Sequence, residues 1–134
     1  MPESIPSWPA FPDTRRALVD LQQHQYRIGV LSNIDVDLME RTLENLGVRA
    51  DIVVTAEEVR SYKPAWSHWI RFLKRTGTAP DKVWHVSGSY DYDIEPARAL
   101  GFRTVYVERY AGPPAGRAVG MSVPSLEGLA GRLQ

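Results

Sequence analysis

No cysteine occurs in the 134 residues, so a disulfide framework, a thiolate metal site and a cysteine nucleophile are excluded together. Net charge is absent as well, because 16 basic side chains balance 16 acidic ones. No global field draws the chain toward nucleic acid or an anionic membrane, and any anion recognition must be local. No apolar run is long enough to cross a bilayer, and Met1-Pro2-Glu3-Ser4-Ile5-Pro6 lacks the basic start and apolar stretch of a signal peptide. The expectation is a cytoplasmic protein with neither nucleic acid nor membrane as partner. There is no G-x-S-x-G elbow, no Walker loop and no G-x-G-x-x-G fingerprint, which removes the commonest other α/β enzymes. The three histidines, His24, His68 and His85, have no partners at metal-ligand spacing. His85 reads as a buried, hydrogen-bonded core residue rather than a base.

What is present is an alternation of strands and helices in a chain of one-domain length, 1–134, long enough to bury its own core. Pro2, Pro6, Pro9 and Pro12 surround Trp8 and Phe11, so residues 1–12 are expected to form an extended arm. Asp13 can cap a helix to about Gln25, followed by the apolar strand 27–32. Val36, Met39, Leu43 and Leu46 follow helical spacing and Gly47 stops that helix. Strand 51–54 leads into Thr55-Ala56-Glu57-Glu58, a capping-box pattern. The stripe Trp66, Trp69, Ile70 and Leu73 predicts a further helix. Strand 83–86, a helix over 93–100 with Pro96 in its first turn, and strand 104–107 follow. Residues 112–120 read as a Gly/Pro-rich surface loop and 124–133 as a last short helix. The fold class is α/β: a Rossmann-like parallel sheet of four strands with helices on both faces, and ligands beyond the strand C-termini.

Chemistry-bearing residues collect at those strand ends. Ser32 and Asn33 close a strand just before a helix, where a hydroxyl, an amide and backbone N–H groups would converge on an anion; a plain cap or turn is the alternative. Lys63 lies in the loop Ser61-Tyr62-Lys63-Pro64 and offers a compact ammonium for a phosphate or carboxylate, unless it is only solvated surface. Ser87, Gly88 and Ser89 form a small-residue loop with backbone amides to offer. Asp91 and Asp93 stand close enough to share a ligand or water, with helix capping the alternative for Asp93.

The order of Gly29-Val30-Leu31-Ser32-Asn33, Ser61-Tyr62-Lys63-Pro64 and Val86-Ser87-Gly88-Ser89-Tyr90-Asp91-Tyr92-Asp93-Ile94 resembles the second, third and fourth motifs of the haloacid dehalogenase-like hydrolases, closest to the 2-haloacid dehalogenase branch. The resemblance runs from about Trp8 to Arg109. It implies that Ser32 holds a substrate oxygen, Asn33 orients it, Lys63 neutralises developing charge and Asp93 orders Lys63 or a water. It also implies a small anionic substrate, a 2-haloacid or a phosphate ester. Phosphatases of the superfamily place an aspartate where Gly88 stands, so the resemblance implies a site without metal or other cofactor, with Asp91 or Asp93 weak magnesium ligands at most. The family's first motif, an aspartate-led strand end that supplies the nucleophile, does not occur in this sequence, nor does a cap insertion. Asp13-Thr14 is no substitute, because it follows prolines and opens a helix.

The expectation is thus an N-terminally truncated hydrolase core that lacks the usual central strand and is inactive alone, open to a homodimer or a complementing strand. The alternative is a non-catalytic α/β module whose anion pocket serves sensing or partner docking. A phosphoacceptor module ranks last, since no acceptor aspartate precedes Ser32.

Overall fold

The computed structural model describes residues 14–33, 36–108 and 115–133. The predicted arm 1–12 and the cap Asp13 lie outside the described residues. The elements run α1 (Thr14–Gln23), β1 (Gly29–Ser32), α2 (Val36–Leu46), β2 (Ile52–Thr55), α3 (Ala56–Val59), α4 (Ser67–Thr76), β3 (Trp84–Ser87), α5 (Glu95–Ala99), β4 (Arg103–Val107), β5 (Met121–Val123) and α6 (Leu129–Arg132). This is the expected alternating α/β class. No helix among the described residues is long and apolar enough to cross a membrane. The chain divides into two compact units, one containing the described residues up to Ser61 with those from Leu126, the other Tyr62–Ser125.

In the first unit β1 and β2 pair in parallel, Gly29 opposite Ile52 and Ser32 opposite Thr55. Asp51 locks the entry to this ladder: its carboxylate accepts from the Ile28 amide at 2.7 Å, and its own amide donates to the Ile28 carbonyl at 2.8 Å. The N-cap half of the capping-box reading appears in the structure, where the Thr55 hydroxyl accepts from the Glu58 amide at 3.3 Å and opens α3. The α3 turn ends at Arg60, in the left-handed region at φ 54°. Ala17 and Leu21 on α1 and Leu129, Ala130 and Leu133 around α6 are buried, with α1 packed on α6.

In the second unit three strands pair in parallel in the order β3-β4-β5. The strands of the chain form two parallel ladders, β1-β2 and β3-β4-β5. One sequence expectation is corrected here: there is a fifth strand, Met121–Val123, where the sequence reads as loop running into helix. Three residues behind a Gly/Pro-rich stretch carry too little period-2 pattern to be read as a strand. What admits the strand is Gly120: at φ +78° its absent Cβ would lie 2.5 Å from the Thr104 carbonyl oxygen, so only glycine passes this close to β4. Thr104 fixes the approach by donating to the Val119 carbonyl at 2.9 Å, and the Glu108 amide donates to Val123 at 2.9 Å.

Strand β4 is the core of this unit, with Thr104, Val105, Tyr106 and Val107 buried in succession, as a parallel strand covered on both sides requires. Ile94, Tyr106 and Val119 cluster together with Tyr90 against them. Helix α4 buries His68 and Trp69 and stops at Gly77, which is left-handed at φ 65°. A further correction concerns the segment after β3: helical winding begins not at Asp93 but at Tyr90, as a π-helical turn (Tyr90–Ile94) that runs into α5. The wider winding of that turn, with hydrogen bonds spanning five residues such as Ile94 N–H to the Ser89 carbonyl, is invisible to a 3.6-residue pattern search. Pro96 falls in the first turn of α5, as expected.

Candidate functional site

The second unit gathers Lys63, His85, Ser87, Ser89 and Asp93 around a single carboxylate. Asp93 is carried by the π-helical turn just beyond the C-terminal end of β3 and is 7% exposed. Its Oδ1 accepts from Lys63 Nζ at 2.7 Å and from His85 Nε2 at 3.2 Å. Its Oδ2 accepts from Ser87 Oγ at 2.9 Å, and that hydroxyl in turn accepts from the Ser89 amide at 3.0 Å. Lys63 enters from the loop before α4, through a cis peptide to Pro64. With side chains 12% and 10% exposed, Lys63 and Asp93 form a largely dehydrated ion pair.

Burial by itself would raise the Asp93 pKa. The hydrogen bond from His85, the charge of Lys63, the charge of His85 and the hydrogen bond from Lys63 outweigh burial and bring it from 3.8 down to about 2. Asp93 is therefore ionised throughout the neutral range and can only accept hydrogen bonds. His85 Nε2 must then carry the proton in that contact.

The sequence-selected residues distribute as follows. Lys63, Ser87, Ser89 and Asp93 converge in one hydrogen-bonded group, with Gly88 half-buried between the two serines. Ser32 and Asn33, both half-buried, stand at the C-terminal end of β1 in the other unit. Asp93 is not a helix cap, because its carboxylate is spent on three side chains. Asp91 does not share its surroundings: it is exposed and lies 3.6 Å from Arg117, which also covers the Tyr90 ring at 5.3 Å. The Ser89 amide, read from sequence as available to a ligand, is taken up by Ser87 Oγ. His85 is the residue that sequence reasoning left in the core. The signal that could have found it is its spacing: His85 and Ser87 lie two apart on β3, hence on one face.

These donors do not suit a divalent cation. The ammonium of Lys63 already occupies Asp93 Oδ1, Gly88 offers no side-chain oxygen, and no group of three or more His, Asp or Glu side chains among the described residues could hold a metal ion.

The family model of haloacid dehalogenase-like hydrolases matches residues 4–107. The chain belongs to this family. It is 34% identical over 100 residues to a glyceraldehyde 3-phosphate phosphatase of Methanothermobacter thermautotrophicus, covering 72% of this chain and 44% of that protein. It is 30% identical over 107 residues to the (S)-2-haloacid dehalogenase 4A of Burkholderia cepacia, covering 78% of this chain and 46% of that protein. The chain thus spans less than half the length of these relatives. A HAD phosphatase crystal structure from Thermococcus onnurineus superposes with a TM-score of 0.85 at 23% identity, covering 98% of this chain and 61% of that one. At that identity the likeness is one of fold. As a haloacid dehalogenase-like hydrolase core, the chain has relatives of both phosphatase and dehalogenase type.

Proposed function

We propose that this chain carries the charge-stabilising part of a hydrolase site for a small anionic substrate, a 2-haloacid or a phosphate ester. The observation that carries the reading is the buried Lys63–Asp93 pair at the end of β3. Asp93 holds the Lys63 ammonium in one orientation, so that the lysine meets developing negative charge without reorganising, which is where electrostatic catalysis is strongest. For Ser32 and Asn33, at the end of β1 in the other unit, the family resemblance is what supports a role in holding and orienting a substrate oxygen. In the whole reaction a carboxylate attacks the halogen-bearing carbon and expels halide to leave an ester, or attacks the phosphorus and expels the alcohol oxygen to leave an acyl phosphate, and water hydrolyses the intermediate. Among the described residues no carboxylate stands at a strand end in the position of that nucleophile, and the reading assigns it to a further segment, on the same polypeptide or on a partner that adds a strand.

Between the two substrate classes, Gly88 favours the haloacid. A halide leaves without needing a cation on the transferred group, whereas the donor set here does not fit the magnesium that phosphoryl transfer commonly uses. The test is to assay the chain alone and after fusion behind an aspartate-bearing strand and cap, with 2-chloropropionate and a phosphate monoester, while following inorganic phosphate binding by calorimetry. The chain alone should bind without turnover, Lys63→Ala should weaken binding without abolishing it, and the fusion should release chloride. Robust turnover by the unfused chain would overturn the assignment of the nucleophile, and binding indifferent to Lys63→Ala would overturn that of the cation. Retention of binding by a fusion that stays inactive on both substrates would favour a non-catalytic sensing or docking module.

A further inference from the structure

We propose that His85 is a positioning residue of this site, acting on Lys63 through Asp93. The inference deepens the reading of Lys63 as the anion-binding cation and rests on it for its ligand-binding arm.

Two residues on one face of β3 grip Asp93 at two points. His85 holds Oδ1 and Ser87 holds Oδ2. A carboxylate held at one oxygen can still swing about its Cβ–Cγ bond; held at both, its plane is fixed. The Lys63 ammonium at 2.7 Å then meets an acceptor already aimed. His85 is in turn held from behind: the Trp69 ring stands edge-on to the imidazole, centroids 5.5 Å apart at 65°. Trp69 is fully buried on α4, six residues after Lys63. The same short segment therefore supplies the cation at its start and the buttress of the positioning histidine six residues later. Lys63, Asp93, His85 and Trp69 close a circuit in which each group limits the freedom of the next.

A histidine that merely filled space here would be replaceable by any side chain of its size. A positioning histidine is replaceable only by one that places an N–H at the Nε2 position. Glutamine does this and asparagine stops short, and both remain polar and able to fold. The experiment compares the intact chain with His85→Gln and His85→Asn by side-chain ammonium NMR at neutral pH without ligand. It adds phosphate calorimetry on both variants, on Lys63→Met and on the His85→Asn/Lys63→Met double variant. A slowly exchanging Lys63 ammonium signal should be present in the unaltered chain and in His85→Gln and lost in His85→Asn. Phosphate binding should weaken several-fold in His85→Asn, recover in His85→Gln, and be no weaker in the double variant than in Lys63→Met. A protected Lys63 signal that survives His85→Asn overturns the proposal, as does a loss in the double variant that adds to that of Lys63→Met. The ammonium arm uses no anion, so failure of every protein to bind phosphate while the NMR pattern holds sinks the functional reading and leaves the positioning role supported.

Discussion

Lys63 and Asp93, thirty positions apart in the chain, meet at 2.7 Å with side chains only 12% and 10% exposed. An ion pair this dry contributes less through its own attraction than through the penalty for separating it, because either charge left alone is buried without a counterpart. Asp93→Asn should therefore destabilise the chain by about 2–4 kcal/mol, measured by urea unfolding. Lys63→Met, which removes the opposite charge and fills similar volume, should strand Asp93 and cost about as much. A loss within about 0.5 kcal/mol for both would show that water screens the pair.

The same pair sets an acid limb. The Asp93 carboxyl titrates near 2 when folded against an ordinary 3.8, so folding favours its ionised form. Its contribution, on the order of 2 kcal/mol, is fully present above about pH 4 and is lost as pH falls through 3.8 toward 2. Stability measured by chemical unfolding should fall over that window in the unaltered chain, and the fall should shrink in Asp93→Asn. An identical acid limb in both proteins would place the acid sensitivity elsewhere.

Gly120→Ala should detach β5. A Cβ there would stand 2.5 Å from the Thr104 carbonyl oxygen and 2.6 Å from its hydroxyl, on backbone already at φ +78°. The expected loss is upward of about 2 kcal/mol, with faster amide exchange at Glu108, whose N–H is bonded to Val123. Gly77→Ala, also at positive φ but with nothing within 4 Å, should cost only the conformational part, about 1 kcal/mol. Equal losses would mean that strain rather than contact governs both positions.

Magnesium should leave the melting temperature of the chain unchanged, because Asp93 is engaged by an ammonium, an imidazole and a hydroxyl and Gly88 supplies no oxygen. A saturable rise in melting temperature with magnesium, lost in Asp93→Asn, would show that the cation can displace Lys63.

Much of this was legible from residue order. Thr55 and Glu58 announced a cap that the structure shows, since capping depends on a few neighbouring atoms. Strands β1, β2, β3 and β4 were readable as short apolar runs of parallel-strand type, although of these only β2 and β4 hold fully buried residues. β5 was not, because its existence depends on a glycine that lets backbone touch backbone, a contact with no hydrophobic signature. Lys63 and Asp93 were singled out from their motifs, and the structure pairs them. The part His85 plays was not, since a lone histidine in an apolar strand signals nothing until the chain winds back, eight residues later, to bring Asp93 against it.

Strand β3 pairs with β4 as Trp84 with Arg103, His85 with Thr104, Val86 with Val105 and Ser87 with Tyr106. Because side chains alternate along it, a shift of one residue would turn Trp84 and Val86 toward Asp93 and carry His85 and Ser87 to the opposite face. Length changes ahead of this strand are thus not equivalent. Insertions in the 77–83 connection can be absorbed as slack there, whereas a single-residue insertion or deletion within 84–87 exchanges polar for apolar groups around the carboxylate in one step. Among related sequences, gaps should accumulate in the first segment and be excluded from the second, even where the four residues themselves differ.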